Sequence, residues 1–390
     1  YSATGGTATG SGTDYTLADG TATVTAGATT TTFSGTLVDD ALDEVDETVI
    51  IDLASATISN ATLGATAQHT LTITDNDDPP AIDFTAATGT IAEDGGTHTL
   101  TIQIATASAK TITVDYAISA SSTTKSGQDY TFSAGTATIA AGATTTTADV
   151  TVINDLVDEP DQTLIVLLSD PTNSTVGTNS SHTLTITDND DPPTIAFSSA
   201  ASSASEATAA VTLTVAQSDT SEYDVSVAYT VSGTATDGGA DHDLSAGTSS
   251  ISAGGSSTTI TFTVTDDATD EDNQTVIVTL DATPTNATRG TNAAHTYTIT
   301  DNDDPPTIVF SAGTSTSGEG DGTATFTLST SAASEKTITV DYSATGGTAT
   351  GSGTDYTLAD GTATVTAGAT TTTFSGTLVD DALDEVDETV

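Results

Sequence analysis

The stretch Leu100-Thr101-Ile102-Gln103-Ile104 alternates apolar and polar side chains with a period of two. Successive side chains of an extended chain point to opposite faces, so this pattern is a strand with one face buried and one wet. The same alternation surrounds it: Ile112, Val114 and Tyr116 alternate with Thr113 and Asp115, and Val150 and Val152 flank Thr151. Between residues 79 and 191 the pattern predicts seven strands, near 81–88, 97–106, 111–119, 135–140, 144–153, 163–169 and 182–187. Turn sequences such as Asp94-Gly95-Gly96 and Ala141-Gly142 separate them. No segment shows the 3.6-residue period of a helix. Seven short antiparallel strands in about 110 residues point to an all-β, immunoglobulin-like seven-stranded antiparallel β-sandwich, a size that buries a core of its own.

Outward from this segment the chain repeats. Asp75-Asn76-Asp77-Asp78-Pro79-Pro80 returns at 188–193 and at 301–306, 113 residues on each time. Residues 342–390 copy residues 1–49 without a change, at an offset of 341. Fixed periods mean tandem units. The expected organisation is a linear array: a partial domain at 1–78 with the closing part of its sandwich, complete domains at 79–191 and 192–304, and a partial domain at 305–390 with the opening part. The start at Tyr1, without methionine, and the near-perfect copies point to a window on a longer array.

The 390 residues carry 54 acidic and 4 basic side chains, a formal net charge of −50, and no cysteine, methionine or tryptophan. Disulfide frameworks, zinc ribbons and thiol chemistry are thereby excluded. Lys110, Lys125, Lys336 and Arg289 are too few and too scattered to meet nucleic-acid phosphates. Cations are the natural partners. Strong acidity with few aromatics can signal disorder, but 35% of the residues are apolar and they alternate. No window approaches a membrane-spanning length, and no charged-then-apolar leader opens the sequence. A secretion signal would lie outside it.

The acids are concentrated. Domain 79–191 holds 14, of which nine fall in four clusters at strand boundaries: Glu93; Asp129; Asp155, Asp158, Glu159 and Asp161; and Asp188, Asp190 and Asp191. The next domain repeats the set as Glu206, Asp241, Asp266, Asp267, Glu271, Asp301, Asp303 and Asp304. Glu93 to Asp129 is 36 residues and Glu206 to Asp241 is 35, while Asp129 to Asp155 and Asp241 to Asp267 are both 26. The first partial domain carries Asp14, Asp39, Asp40, Glu44, Asp75, Asp77 and Asp78, and the last carries Glu319, Asp355, Asp380, Asp381 and Glu385. A solvated, highly soluble surface needs negative charge, but not charge that returns to the same four loops. If those loops share one end of the sandwich, their carboxylates repel one another unless a cation neutralises them. Calcium fits best: it takes six to eight hard oxygens in flexible geometry, whereas magnesium demands a strict octahedron and transition metals call for His or Cys. The carboxylate number leads to an expectation of two to four ions per cluster.

The order of Glu, Gly-x-Asp-Tyr (Gly127 to Tyr130), Asp-x-x-x-Glu (Asp155 to Glu159) and terminal Asp-Asn-Asp-Asp resembles the Calx-β domain family. The motif set covers the whole chain. The resemblance implies a seven-stranded sandwich with calcium bound in loops at one end, beside the following domain. Three departures bear on those ions: Asn154 stands where Asp39 and Asp266 stand, Gln162 and Gln274 replace Glu47, and His242 replaces the Tyr of Gly-x-Asp-Tyr.

Other polar residues take plainer readings. His69, His182 and His295 open the last strand and are structural, while His98 and His242 have no sequence partner. Asn60, Asn173 and Asn286 match a glycosylation pattern but occupy turns. Tyr15, Tyr130 and Tyr356 anchor the core or loops. No repeated Ser, His and Asp group and no phosphate-cradling glycine loop is present, so no enzyme is expected.

The terminal Asp-Asn-Asp-Asp is also the linker, since the next first strand starts just after Pro79-Pro80, Pro192-Pro193 or Pro305-Pro306. Calcium held between loops and linker would fix the joint, and the prolines stiffen it. The leading expectation is a calcium-rigidified rod in an extracellular or cell-surface filament, stalk or adhesin. Its other partners are copies of the same fibre or a surface or matrix component. The alternatives are a calcium-sensing regulatory module, and a fibre subunit that polymerises by strand complementation.

Overall fold

A computed structural model of the chain describes residues 1–54, 58–382 and 386–390, in two compact units, Tyr1–Asp190 and Asp191–Val390. In the first unit, residues 81–187 form two five-stranded sheets. One runs in the order Tyr130–Thr131, Thr145–Val152, Thr97–Ile104, Ala81–Phe84 and Thr175–Val176. The other runs Gly135–Ile139, Ile112–Ile118, Gln162–Thr172, Ser181–Thr187 and Thr88–Ala92. The alternating apolar residues point inward from both: Ile82, Leu100, Ile102, Val114, Val150, Leu164, Val166 and Leu184 share one buried core. Their threonine neighbours face out, and that alternation is why the strands form where the sequence places them.

The sandwich is the expected one, with two corrections. The first strand is two, because Ala81–Phe84 and Thr88–Ala92 belong to opposite sheets. The sheets are also not wholly antiparallel: Thr88–Ala92 runs parallel to Ser181–Thr187, with Ile91 opposite Ile186 and Ala92 opposite Thr187, and Thr175–Val176 runs parallel to Ala81–Phe84. The crossing between sheets is pinned by a histidine. Nδ1 of His182 donates to the Ala86 carbonyl at 2.7 Å, and Nδ1 of His295 does the same to Ser199 at 2.7 Å in the second unit. This is the structural role that the sequence suggests for both. Parallel partners end at the same end of a sheet, so Glu93 and Asp188, which directly follow the paired strands, are neighbours.

The second unit repeats the design between residues 194 and 300. Ala201–Ser205 lies parallel to Ala294–Thr300, and a second core holds Ile195, Val215, Val225, Val276, Val278 and Leu280. His242, at the position of core Tyr130, is buried too. Its ring meets Phe262 edge-on, with Nδ1 accepting from Leu244 N at 3.1 Å. Among the described residues the helical elements are single 3₁₀ turns, at Glu93–Gly95 and Glu319–Asp321.

The identical segments 1–49 and 342–390 adopt different structures. Gly361–Val365 and Thr371–Leu378 are strands paired with Ile338–Tyr342 and Thr323–Thr330. Among the same residues at 20–24 and 30–37, Thr36–Leu37 is a strand, paired with Tyr15–Thr16. The turn residues Asn60, Asn173 and Asn286 all have left-handed backbones, with φ of 61°, 58° and 54°. The side chains of the last two donate to the carbonyls of Thr111 and Asp224.

Leu184 is fully buried, whereas Leu167 is 41% exposed. Leu184→Ala is expected to lower the stability of its sandwich by about 2–5 kcal/mol, and Leu167→Ala by well under half as much, measured by denaturant unfolding. Equal losses would contradict this assignment of faces.

Candidate metal centres

Three loops of the first unit meet at one end of its complete sandwich. Glu93 lies in the 3₁₀ turn after Thr88–Ala92, Asp155 follows Thr145–Val152, and Asp190 follows Ser181–Thr187. The end of Thr145–Val152 is tied in by Val152 N donating to the Gly96 carbonyl at 2.7 Å. One carboxylate oxygen from each of Glu93, Asp155 and Asp190 lies within 4.8 Å of the other two. Glu93 is 4% exposed, and its Oε1 and Oδ2 of Asp190 are buried without a hydrogen-bond partner. Burial, the Asp190 carboxyl and the charges of Asp155 and Asp188 push the Glu93 carboxyl up to about 7. Asp188 is also raised, first by its burial.

Asp129 and Glu159 are buried at the same end. Asp129 accepts from Lys125 N, and Glu159 Oε2 accepts from Gln162 Nε2 at 2.6 Å. Gln162 therefore does not simply delete an oxygen. Its amide donates to Glu159, while its own Oε1 remains buried and unpartnered, a neutral oxygen of the kind calcium also accepts. Gln274 and Glu271 repeat this arrangement.

In the second unit, Glu206, Asp301 and Asp303, which stand where the first unit has Glu93, Asp188 and Asp190, form a group within 4.8 Å. Burial, Asp303 and the charge of Asp301 raise Glu206 to about 7, although the Asn302 backbone opposes this. Burial and the charges of Glu335, Asp241 and Asp267 raise Glu271 to about 6. Oε1 of Glu206 and Oδ2 of Asp303 are again buried and unpartnered. In the stretch 1–77, Asp14 and Glu44 join Glu47, whose replacement by Gln162 and Gln274 the sequence shows but which is not among the ligands expected from it. Glu44 is raised by burial and then by Asp14, Asp40, Asp75 and Asp77, and Glu47 by burial and then Asp14. Each group offers only hard oxygens, and in the Glu93 and Glu206 groups two of them are dry and orphaned. These are donor sets that can hold a divalent cation, and they fit calcium.

The remaining residues are less closely gathered. Asp39 and Asp266 accept from the side chains of Asn76 and Asn302 at 3.3 and 3.4 Å, and Asp40 and Asp267 cap their own loops through Leu42 N and Thr269 N. Asp241 and Asp355 accept from Thr236 N and Thr350 N at 2.5 Å. Asp77 is raised by burial and by the acids around it. Asp78, Asp191 and Asp304, the last residue of each linker motif, are exposed, as are Glu319, Asp380 and Asp381. Glu385 lies outside the described residues.

The sequence reading also missed two lysines. Lys110 Nζ donates to Asp43 Oδ1 at 2.6 Å and to Asp75 Oδ2 at 3.4 Å, joining the second domain to the loop and linker of the first. Ser108 Oγ donates to the other Asp43 oxygen at 2.6 Å. In the second unit, Lys336 and Ser334 hold Asp270 at 2.7 Å each, and Lys336 reaches Asp301 at 3.3 Å. Hydrogen bonds from Lys336 and Ser334 keep the Asp270 carboxyl below its usual range. Burial pushes Asp75 up, but the N–H groups of Asp77 and Glu44 and the Lys110 ammonium outweigh it and hold it low. The signal was present as Ser-x-Lys at 108–110 and 334–336, while the middle domain has Tyr223 at that place.

Sandwiches in tandem, with acidic loops at one end beside an acidic linker, define a class of cation-binding repeat modules. The Calx-beta domain family matches residues 1–77, 75–190, 188–303 and 301–390, and the chain belongs to that family. Successive matches overlap at 75–77, 188–190 and 301–303, the Asp-Asn-Asp of each linker. Among solved structures the chain is similar to CBD12 from CALX1.2, with 19% identity, covering 52% of this chain and 80% of that one, at a TM-score of 0.28. It is also similar to the calcium binding domain CBD12 of CALX1.1, with 18% identity, coverage of 54% and 82%, and a TM-score of 0.29. For the apo-form Calx CBD1 domain the values are 21%, 28%, 97% and 0.27. No curated protein matches the chain.

The raised carboxyls set a pH dependence. Glu93 and Glu206 hold their protons in the folded chain up to about pH 7, against an ordinary value of 4.5. Their stabilising contribution is complete below the ordinary value and is lost as the pH climbs through the folded one. In EGTA the melting temperature is expected to fall from about pH 5 to about pH 7.5, and in calcium to change much less. A calcium-free melting temperature that rises over this range would contradict the assignment.

Proposed function

We propose that the chain is a calcium-binding structural repeat array, part of a rigid extracellular or cell-surface filament, stalk or adhesin whose joints calcium stiffens. The observation that carries this reading is the double use of the linker acids. Asp75 accepts from Glu44 N at 3.2 Å, inside the loop cluster of one domain, and also pairs with Lys110 of the next. Asp301 stands in the same relation to Glu271 and Lys336. An ion held by the loop and linker acids acts on the very residues that connect neighbouring domains. Without it their charges repel and the joint loosens. An ion that binds only the ordered arrangement stabilises that arrangement by mass action.

Extracellular calcium modules bind at about 10⁻⁴ to 10⁻³ M, so a calcium-rich medium keeps such joints closed and the cytosol does not. Other copies of the fibre or a matrix component would be its partners. The repeated design suits a structural array, in which every unit does the same task, rather than catalysis.

Small-angle scattering in calcium and in EGTA tests the proposal. The maximum dimension is expected to be larger and better defined in calcium, and an unchanged dimension would sink the stiffening role. Affinity near micromolar by calorimetry would favour a calcium sensor instead.

A further inference from the structure

The second domain carries an imidazole pair that its neighbour lacks. His182 is 4% exposed, and its Nδ1 lies 2.7 Å from the Ala86 carbonyl. A carbonyl can only accept, so Nδ1 carries a proton, and in the neutral ring the lone pair is on Nε2. That Nε2 is buried and has no hydrogen-bond partner. In the third domain the equivalent atom, Nε2 of His295, is satisfied by Ser202 Oγ at 2.7 Å. The residue in register with Ser202 is Gly89, opposite Leu184 as Ser202 is opposite Tyr297. The serine that caps one histidine is thus missing from the other.

A second exchange accompanies the first. His98 stands where the third domain has the core residue Val211, and both lie on the inward face of the same strand. The two imidazole rings are 5.6 Å apart, centroid to centroid, with planes inclined at 37°. The point where a Gly89 side chain would begin is 2.9 Å from His98 Nε2 and 3.0 Å from His182 Nε2. Both nitrogens therefore border the notch that glycine leaves open.

We infer that His98, His182 and the Gly89 notch form a binding site for a borderline divalent metal ion of the zinc, copper or nickel class. Imidazole nitrogens suit these ions and not calcium. Two imidazoles on one tetrahedral ion, with bonds of about 2.0–2.1 Å, place their ring centres on the order of 5–6 Å apart. The Ala86 carbonyl fixes the His182 tautomer from behind, which is the usual second partner of a metal-bound histidine. Burial and then the neighbouring His182 lower the pKa of His98, which keeps it neutral and able to bind. His98 is half-buried, so the site has a solvent side on which water completes the coordination. It is separate from the acid cluster: Gly89 lies four residues before Glu93 in an extended strand, roughly 13 Å at about 3.3 Å per residue.

The test adds zinc chloride to the full chain in saturating calcium, which occupies the carboxylate clusters. Calorimetry is read together with histidine ring signals in NMR. One zinc equivalent is expected to shift the His98 and His182 ring resonances and leave those of His295 in place. The paired variant Gly89→Ser, His98→Val installs the arrangement of the third domain, and is expected to keep the fold and lose that equivalent. Ring signals of His98 and His182 that do not respond to zinc would overturn the site even if the variant fails to fold. So would an undiminished histidine-dependent equivalent in the folded variant.

Discussion

Several carboxylates driven to one end of a sandwich, some of them dry, are the constraint on which the rest of the structure depends. A carboxylate taken out of water beside others must keep its proton or share a cation. Glu93 and Glu206, raised to about 7, take the first course in the calcium-free chain. The fold imposes the crowding. Because Thr88–Ala92 runs parallel to Ser181–Thr187, the residues after both strands emerge side by side, and one is Glu93 while the others are the linker acids. An ordinary antiparallel first strand would have sent Glu93 to the opposite end.

The linker acids are held in part by protein cations. Lys110 and Lys336, two of the four basic residues, sit against Asp75 and Asp301. Each also meets a buried aspartate, Asp43 or Asp270, that has a serine hydroxyl on its second oxygen. Removing one partner of such a pair leaves an uncompensated buried charge, which costs more than the pair itself contributes. The acids behind a net charge of −50 thus divide into exposed ones, ones clasped by lysine and serine, and dry ones grouped closely enough to hold a cation.

Much of the fold was legible because alternation is local. Leu100, Ile102, Val114 and Val150 reveal their buried face from their own neighbours, and the strands lie where that pattern puts them. What the sequence hid is non-local. Nothing in Thr88-Gly89-Thr90-Ile91-Ala92 announces a change of sheet or a parallel partner some 90 residues away. At the site, Glu93, Asp155, Asp190, Glu206, Asp301 and Asp303 were readable from recurring spacing. Glu47 was visible only as the residue that Gln162 and Gln274 replace, not as a ligand, and the lysine clasps were hidden because Tyr223 breaks their recurrence.

The dry oxygens of Glu93 and Asp190, with Asp155, are where calcium binding is to be tested. The most direct measurement is a high-resolution crystal structure of the chain grown in saturating calcium. It is expected to show ions about 2.3–2.6 Å from oxygens of all three residues, with counterparts at Glu206, Asp301 and Asp303. Clusters free of ion density under those conditions would contradict calcium binding at this site.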